Sequence, residues 1–124
     1  MKKTVLIVDD HADIRRLIRM TLEFEDYQIL EAANGDAALR VAREGRPDVV
    51  LLDVMMPGDM DGLEVCRRLK ADPALADTHI LLLSARGHAR DREAGLQAGA
   101  DAYFVKPFSP LQLIEYMASM AEAE

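Results

Sequence analysis

The residues able to do chemistry together in this chain are Asp9-Asp10, Asp53, Ser84 and Lys106. Each stands directly after a short apolar run: Val5-Leu6-Ile7-Val8, Val49-Val50-Leu51-Leu52, Ile80-Leu81-Leu82-Leu83 and Ala102–Val105. If these runs are neighbouring strands, three carboxylates, a hydroxyl and an ammonium meet at one rim. Converging carboxylates raise one another's pKa unless a cation compensates. Lys106 offsets one of the three aspartate charges, and a divalent metal would offset the other two. Hard oxygen donors select Mg2+ or Mn2+ over softer metals. A metal beside a carboxylate, a hydroxyl and a lysine suits phosphoryl transfer: the cations neutralise the transferring oxygens, and one aspartate can attack to form an acyl phosphate. Asp53 is the candidate nucleophile, because its run falls between the acidic pair and Ser84.

The elements that must position these groups follow from periodicity. A fifth run, Tyr27–Ala33, joins the four above, and all are strand-length and bounded by Asp, Pro, Ser or Gly. Between them lie helix-length segments at 12–25, 35–44, 62–71 and 86–97, with a last one at 110–122. Ile14, Leu17, Ile18, Thr21 and Leu22 form the inward stripe of the first, and Leu111, Ile114, Met117 and Ala118 that of the last. Segment 86–97 offers only Ala89, Ala94 and Leu96 to a core and contains Gly87 and Gly95, so it is the weakest element and the one expected to move. Five alternations of strand and helix imply parallel units with right-handed crossovers. Runs 5–8, 49–52 and 80–83 lack polar interruptions and read as central strands covered on both faces. Gln28 and Glu31 mark one edge strand, and the short 102–105 the other. The expected fold is α/β: a flavodoxin-like, doubly wound, open parallel sheet of five strands in the order 2-1-3-4-5.

Composition excludes several function classes. The 124 residues fit one domain, 1–124, and half are apolar, too many for disorder. The net charge of −7 opposes binding to nucleic acid or anionic membrane. A single cysteine, Cys66, excludes an internal disulfide and reads as a small core residue in a reducing, cytoplasmic setting. No apolar run approaches the length of a membrane span. Met1-Lys2-Lys3-Thr4 leads into a strand-length run, unlike a signal peptide.

Taken together, Val8-Asp9-Asp10, Leu52-Asp53-Val54-Met55-Met56-Pro57, Leu83-Ser84-Ala85 and Tyr103-Phe104-Val105-Lys106-Pro107-Phe108 resemble the receiver domain of two-component response regulators, over essentially the whole chain. The resemblance implies a Mg2+-dependent phosphoacceptor, Asp53, charged from a phosphohistidine on a sensor histidine kinase or phosphotransfer protein. It implies Asp10 as a direct metal ligand, Asp9 acting through water, and Asp53 and the Met55 carbonyl as further ligands. It assigns Ser84 and Lys106 to the phosphoryl group, Ser84 and Tyr103 to the conformational switch, and a cis bond to Lys106-Pro107. It further implies a signalling domain that assists its own phosphorylation and dephosphorylation rather than an enzyme, with a downstream effector protein or domain as partner.

The chain departs from the family at Gly58-Asp59-Met60-Asp61, one residue longer than usual between Pro57 and Gly62, which bears on the rim of the site but not on the ligands. Residues 109–124 contain Glu115, Glu122 and Glu124 and no Lys or Arg, unlike the winged-helix branch of the family, whose last helix carries basic residues for dimerisation. Taken singly, each motif has a plainer meaning: Asp9-Asp10 a strand end and helix cap, Ser84 a structural hydroxyl, Lys106-Pro107 a turn, Tyr103 an edge aromatic. His11, a lone histidine, reads as facing solvent rather than metal. Met55-Met56 read as packing, and Arg86, Arg90 and Arg92 as a solvated face. A dehalogenase-type phosphatase would carry Asp-x-Asp after its first strand, and a nucleotide or flavin binder a Gly-rich or Ser/Thr-rich loop there. Asp9-Asp10-His11-Ala12-Asp13 matches neither.

Overall fold

The computed structural model of the chain describes residues 3–23, 25–58 and 60–123. Strands β1 (Lys3–Val8), β2 (Tyr27–Ala32), β3 (Val49–Asp53), β4 (His79–Ser84) and β5 (Ala102–Val105) alternate with helices α1 (Ala12–Leu22), α2 (Gly35–Gly45), α3 (Gly62–Ala71), α4 (Ala89–Gln97) and α5 (Pro110–Ala123). The sheet is parallel throughout and ordered β2-β1-β3-β4-β5, as the sequence implies. A 3-10 turn at Pro73–Leu75, capped by Asp72 and not anticipated from sequence, links α3 to β4.

The central strands divide their side chains between two cores because successive residues point to opposite faces. Leu6, Val8, Val50, Leu52, Ile80 and Leu82 pack with Ala38, Ala42, Val65, Cys66 and Leu69 of α2 and α3. Val5, Ile7, Val49, Leu51, Leu81 and Leu83 pack with Ile18 and Leu22 of α1 and Leu113 and Met117 of α5. Each such Leu or Ile stabilises the fold by about 1.5–3 kcal/mol, so the strand ends that carry the site are firmly anchored.

On α1 the predicted stripe is seated through Ile18 and Leu22 with Ile14 and Thr21 half-buried, and only Leu17 of that stripe is exposed. On α5 the buried face runs through Leu113 and Met117, while Leu111 and Ala118 face solvent. Helix α1 ends at Leu22 rather than 25, and Phe24 lies outside the described residues. Helix α4 is as poorly seated as its sequence implies, with only Gly95 buried along its own length. The lengthened 58–61 loop is absorbed locally: Gly58 takes a positive φ of 101°, Met60 is buried beside α2, and Asp61 caps α3 by accepting the Glu64 N–H at 3.0 Å. Asp59 lies outside the described residues.

Candidate functional site

The carboxyl ends of β1, β3, β4 and β5 bring the predicted residues to one rim. Asp9, following β1, is buried. Its Oδ1 accepts the His11 backbone N–H at 2.8 Å and faces His11 Nδ1 at 3.1 Å. Its Oδ2 accepts from Lys106 Nζ at 3.2 Å, and its carbonyl accepts from Arg15 Nη1 at 2.7 Å. Asp53, the last residue of β3, is also buried, and its Oδ1 accepts from Lys106 Nζ at 3.1 Å and, more weakly, from Met55 N–H at 3.4 Å. Lys106 thus bridges two carboxylates from different strands, and its own backbone N–H is tied to the Ser84 carbonyl at 2.7 Å. The Lys106-Pro107 peptide is cis.

A close backbone approach holds Asp53 in place. The Gly62 N–H donates to the Val54 carbonyl at 2.9 Å. A Cβ on Gly62 would collide with the Asp53 carbonyl and come within 2.7 Å of Val54 Cα, so only glycine lets α3 start this close to the strand end.

The electrostatics follow from this crowding. Burial, then the charge of Asp9, pushes the Asp53 carboxyl above its ordinary value, against the opposing hydrogen bond and charge of Lys106. Burial works against the Lys106 ammonium, but Asp53 and then Asp9 outweigh it and hold that group above the ordinary lysine value. Asp10 adds a third carboxylate whose Oδ1 is buried without a hydrogen-bond partner among the described residues; His11 Nδ1 lies 3.2 Å away but is not aligned to bond it. Ligand atoms of Asp9, Asp10, His11 and Asp53 all lie within 4.8 Å of one another. An orphaned buried carboxylate oxygen in an oxygen-rich cluster fits a hard dication.

Ser84 is fully buried at the end of β4, where its Oγ accepts the Arg86 N–H at 3.1 Å. Tyr103, on β5, donates its hydroxyl to the Arg86 carbonyl at 2.7 Å, and the Arg92 guanidinium lies 5.7 Å from its ring centroid. A cleft of about 360 Å³ over Asp53 is lined by His11, Met55, Ala85, Arg86 and Lys106. A second groove of about 410 Å³, bounded by Pro57, Asp61, Asp91, Ala94 and Tyr103, shares Met55 and Arg86 with it. Arg86 is therefore the physical link between the carboxylate site, Ser84 and Tyr103. Sequence reasoning treated Arg86 as solvated surface because its role lies in its backbone, which side-chain type does not reveal. It read His11 as facing solvent, and the side chain is 65% exposed, with Nδ1 within reach of Asp9 and Asp10.

A flavodoxin-like α/β domain with an acidic, lysine-bridged rim is the architecture of CheY-like signalling modules, and comparison with known proteins narrows it. The profile of the response regulator receiver domain matches residues 5–118. The transcriptional regulatory protein ResD of Bacillus subtilis is 50% identical over 110 residues, 89% of this chain and 44% of ResD. The phosphate regulon transcriptional regulatory protein PhoB of Pseudomonas aeruginosa is 46% identical over 112 residues, 90% of this chain and 48% of PhoB. The chain thus spans less than half the length of these relatives. Among solved structures, the chemotaxis response regulator CheY4 of Vibrio cholerae superimposes with a TM-score of 0.89 at 33% identity, covering 96% of this chain and 98% of that one. The chain belongs to the response regulator receiver domain family of two-component systems.

Proposed function

We propose that residues 1–124 form one phosphoacceptor domain that takes a phosphoryl group from the phosphohistidine of a sensor histidine kinase or phosphotransfer protein onto Asp53. The observation that carries this reading is the Lys106 ammonium held between Asp53 and Asp9 over a buried strand end. A carboxylate oxygen of Asp53 attacks phosphorus, the P–N bond breaks, and its electron pair returns to the donor imidazole, leaving an aspartyl phosphate. Lys106 then exchanges carboxylate oxygens for phosphoryl oxygens, keeping its charge paired. The Ser84 oxygen already accepts from Arg86 N–H, which leaves its hydroxyl proton free to donate to the new phosphoryl group. Asp10, Asp9, Asp53 and the Met55 carbonyl would hold Mg2+, which supplies neutralisation of the transferring oxygens.

Movement of Ser84 towards the phosphoryl group pulls on Arg86, and through the Arg86 carbonyl on Tyr103. The surface of α4, β5 and α5 then changes for a downstream effector protein or domain. The domain is a phosphorylatable switch rather than an enzyme, assisting only its own phosphorylation and dephosphorylation. Its phosphodonor partner has a natural seat: Ile14, Leu17, Ala85, Pro107 and Phe108 form an apolar hollow of about 340 Å³ beside Lys106, suited to the apolar face of a helix. At a net charge of −7 this domain itself makes no direct contact with nucleic acid or membrane. Among the described residues no helix is long and apolar enough to cross a membrane, and we place the domain in the cytoplasm with its kinase. Intact-mass measurement after incubation with acetyl phosphate tests the reading: one phosphoryl group is added with Mg2+, and none with EDTA. Equal labelling in the two would overturn the metal-dependent mechanism.

A further inference from the structure

The acidic rim contains one donor that the phosphoryl chemistry leaves unused. His11 follows the acidic pair and forms the N-terminal boundary of α1. Its backbone N–H is fixed to Asp9 Oδ1 at 2.8 Å, which turns the ring over the end of β1 rather than away from it. The side chain is 65% exposed, yet Nδ1 lies 3.1 Å from Asp9 Oδ1 and 3.2 Å from Asp10 Oδ1. Adjacent donors around a six-coordinate ion with bonds of about 2.1 Å stand about 3.0 Å apart, so the 3.2 Å between Nδ1 and Asp10 Oδ1 is close to one edge of such a shell. The ring also lines the cleft above Asp53.

We infer that His11 is a nitrogen ligand of the metal centre, and that it makes this centre favour first-row transition dications over Mg2+. The inference rests on the metal centre proposed above. The physical reason is donor type. Carboxylate, carbonyl and water suit Mg2+, whereas imidazole suits later first-row ions and gives little to Mg2+. An ion held by Asp10 Oδ1 would give that atom its missing partner, and His11 Nδ1 would add a nitrogen donor beside it. Among the receiver residues at this rim, His11 is the side chain whose replacement changes metal preference without removing charge from the phosphoryl site.

The test compares Mg2+ and Co2+ binding to the unmodified chain, to His11→Asn and to Asp10→Asn by calorimetric titration, with proton NMR of the Co2+ form. Asn also starts helices well, so α1 is kept. The expected result is a paramagnetically shifted imidazole N–H resonance in the unmodified chain that is absent from His11→Asn. Co2+ affinity should fall in that variant by at least about tenfold, the lower end of what even indirect support of a ligand contributes, while Mg2+ affinity stays within about twofold. Unchanged Co2+ affinity in His11→Asn, or no shifted imidazole resonance while Co2+ binds, would overturn the role of His11 and leave the carboxylate centre standing. Absence of binding by either ion, or binding indifferent to Asp10→Asn, would instead overturn the centre itself and this inference with it.

Discussion

At the scale of single residues, burial and the neighbouring Asp9 make the ionised form of Asp53 unfavourable. The folded-state pKa of Asp53 is raised above its ordinary 3.8, so the folded chain holds that proton more tightly than the unfolded one. Its contribution to stability is fully present below 3.8 and is lost as pH rises through the raised value. At neutral pH the ionised group therefore opposes folding. Asp53→Asn in EDTA should melt higher than the unmodified chain at pH 7, by about 2–5 °C for on the order of 1 kcal/mol, and the advantage should shrink on acidification towards 3.8. Thermal melts across that range check it; a lower midpoint for the variant at pH 7 would contradict the account. Lys106 behaves in the same sense, since its raised pKa makes its pairing fully present below 10.5 and lost as pH climbs past the raised value. Replacing it tests a separate step. Lys106→Ala should still accept a phosphoryl group, because the nucleophile remains, but should lose the accompanying change at Tyr103, readable in the tyrosine ring resonances before and after labelling.

At the scale of elements, the strands were legible and the helix faces only partly so. Uninterrupted apolar runs ending in Asp9, Asp53, Ser84 and Lys106 identify parallel strands, and parallel strands put those residues on one rim. Helix α5 resisted such reading because Leu111, Leu113, Ile114, Tyr116, Met117 and Ala118 make it apolar almost all round, so periodicity selects no single face; packing chose Leu113 and Met117. Leu17 left the core for a comparable reason: Ile18 and Leu22 suffice to seat α1, freeing Leu17 to line the hollow beside Lys106. Gly95 looked like a helix weakness and is a fitted contact. A Cβ there would lie 2.9 Å from both Leu82 Cδ1 and Tyr103 Cδ2, so α4 reaches the sheet over the Tyr103 ring only because the position is glycine. Gly95→Ala should lift α4 and cost about 1–3 kcal/mol, the range for overpacking, despite alanine's better helix propensity. Denaturant titration checks this, and a stabilised variant would show that α4 is not seated through Gly95.

At the scale of the whole molecule, the net charge of −7 and its distribution lead to two predictions. Binding to the folded state alone stabilises it by mass action. The unfolding midpoint should therefore rise with millimolar Mg2+, and the rise should vanish in Asp10→Ala, which removes the unpartnered oxygen. The described face of α5 exposes Leu111, Gln112, Glu115, Ala118 and Ser119 and no basic side chain. Two such faces cannot form cross-pairs with each other, and unpaired charge buried between them would be costly. Size-exclusion chromatography with light scattering, run with and without beryllofluoride and Mg2+, should accordingly show no activation-dependent dimer through this face; a beryllofluoride-dependent dimer lost on mutating 109–124 would contradict this. The central claim, that Asp53 becomes the acyl phosphate, is tested most directly by locating the label. Borohydride reduction of the acetyl-phosphate-treated chain converts an aspartyl phosphate to homoserine, and tandem mass spectrometry of its peptides should find homoserine at position 53. Homoserine at 9 or 10 instead, or undiminished labelling of Asp53→Asn, would contradict it.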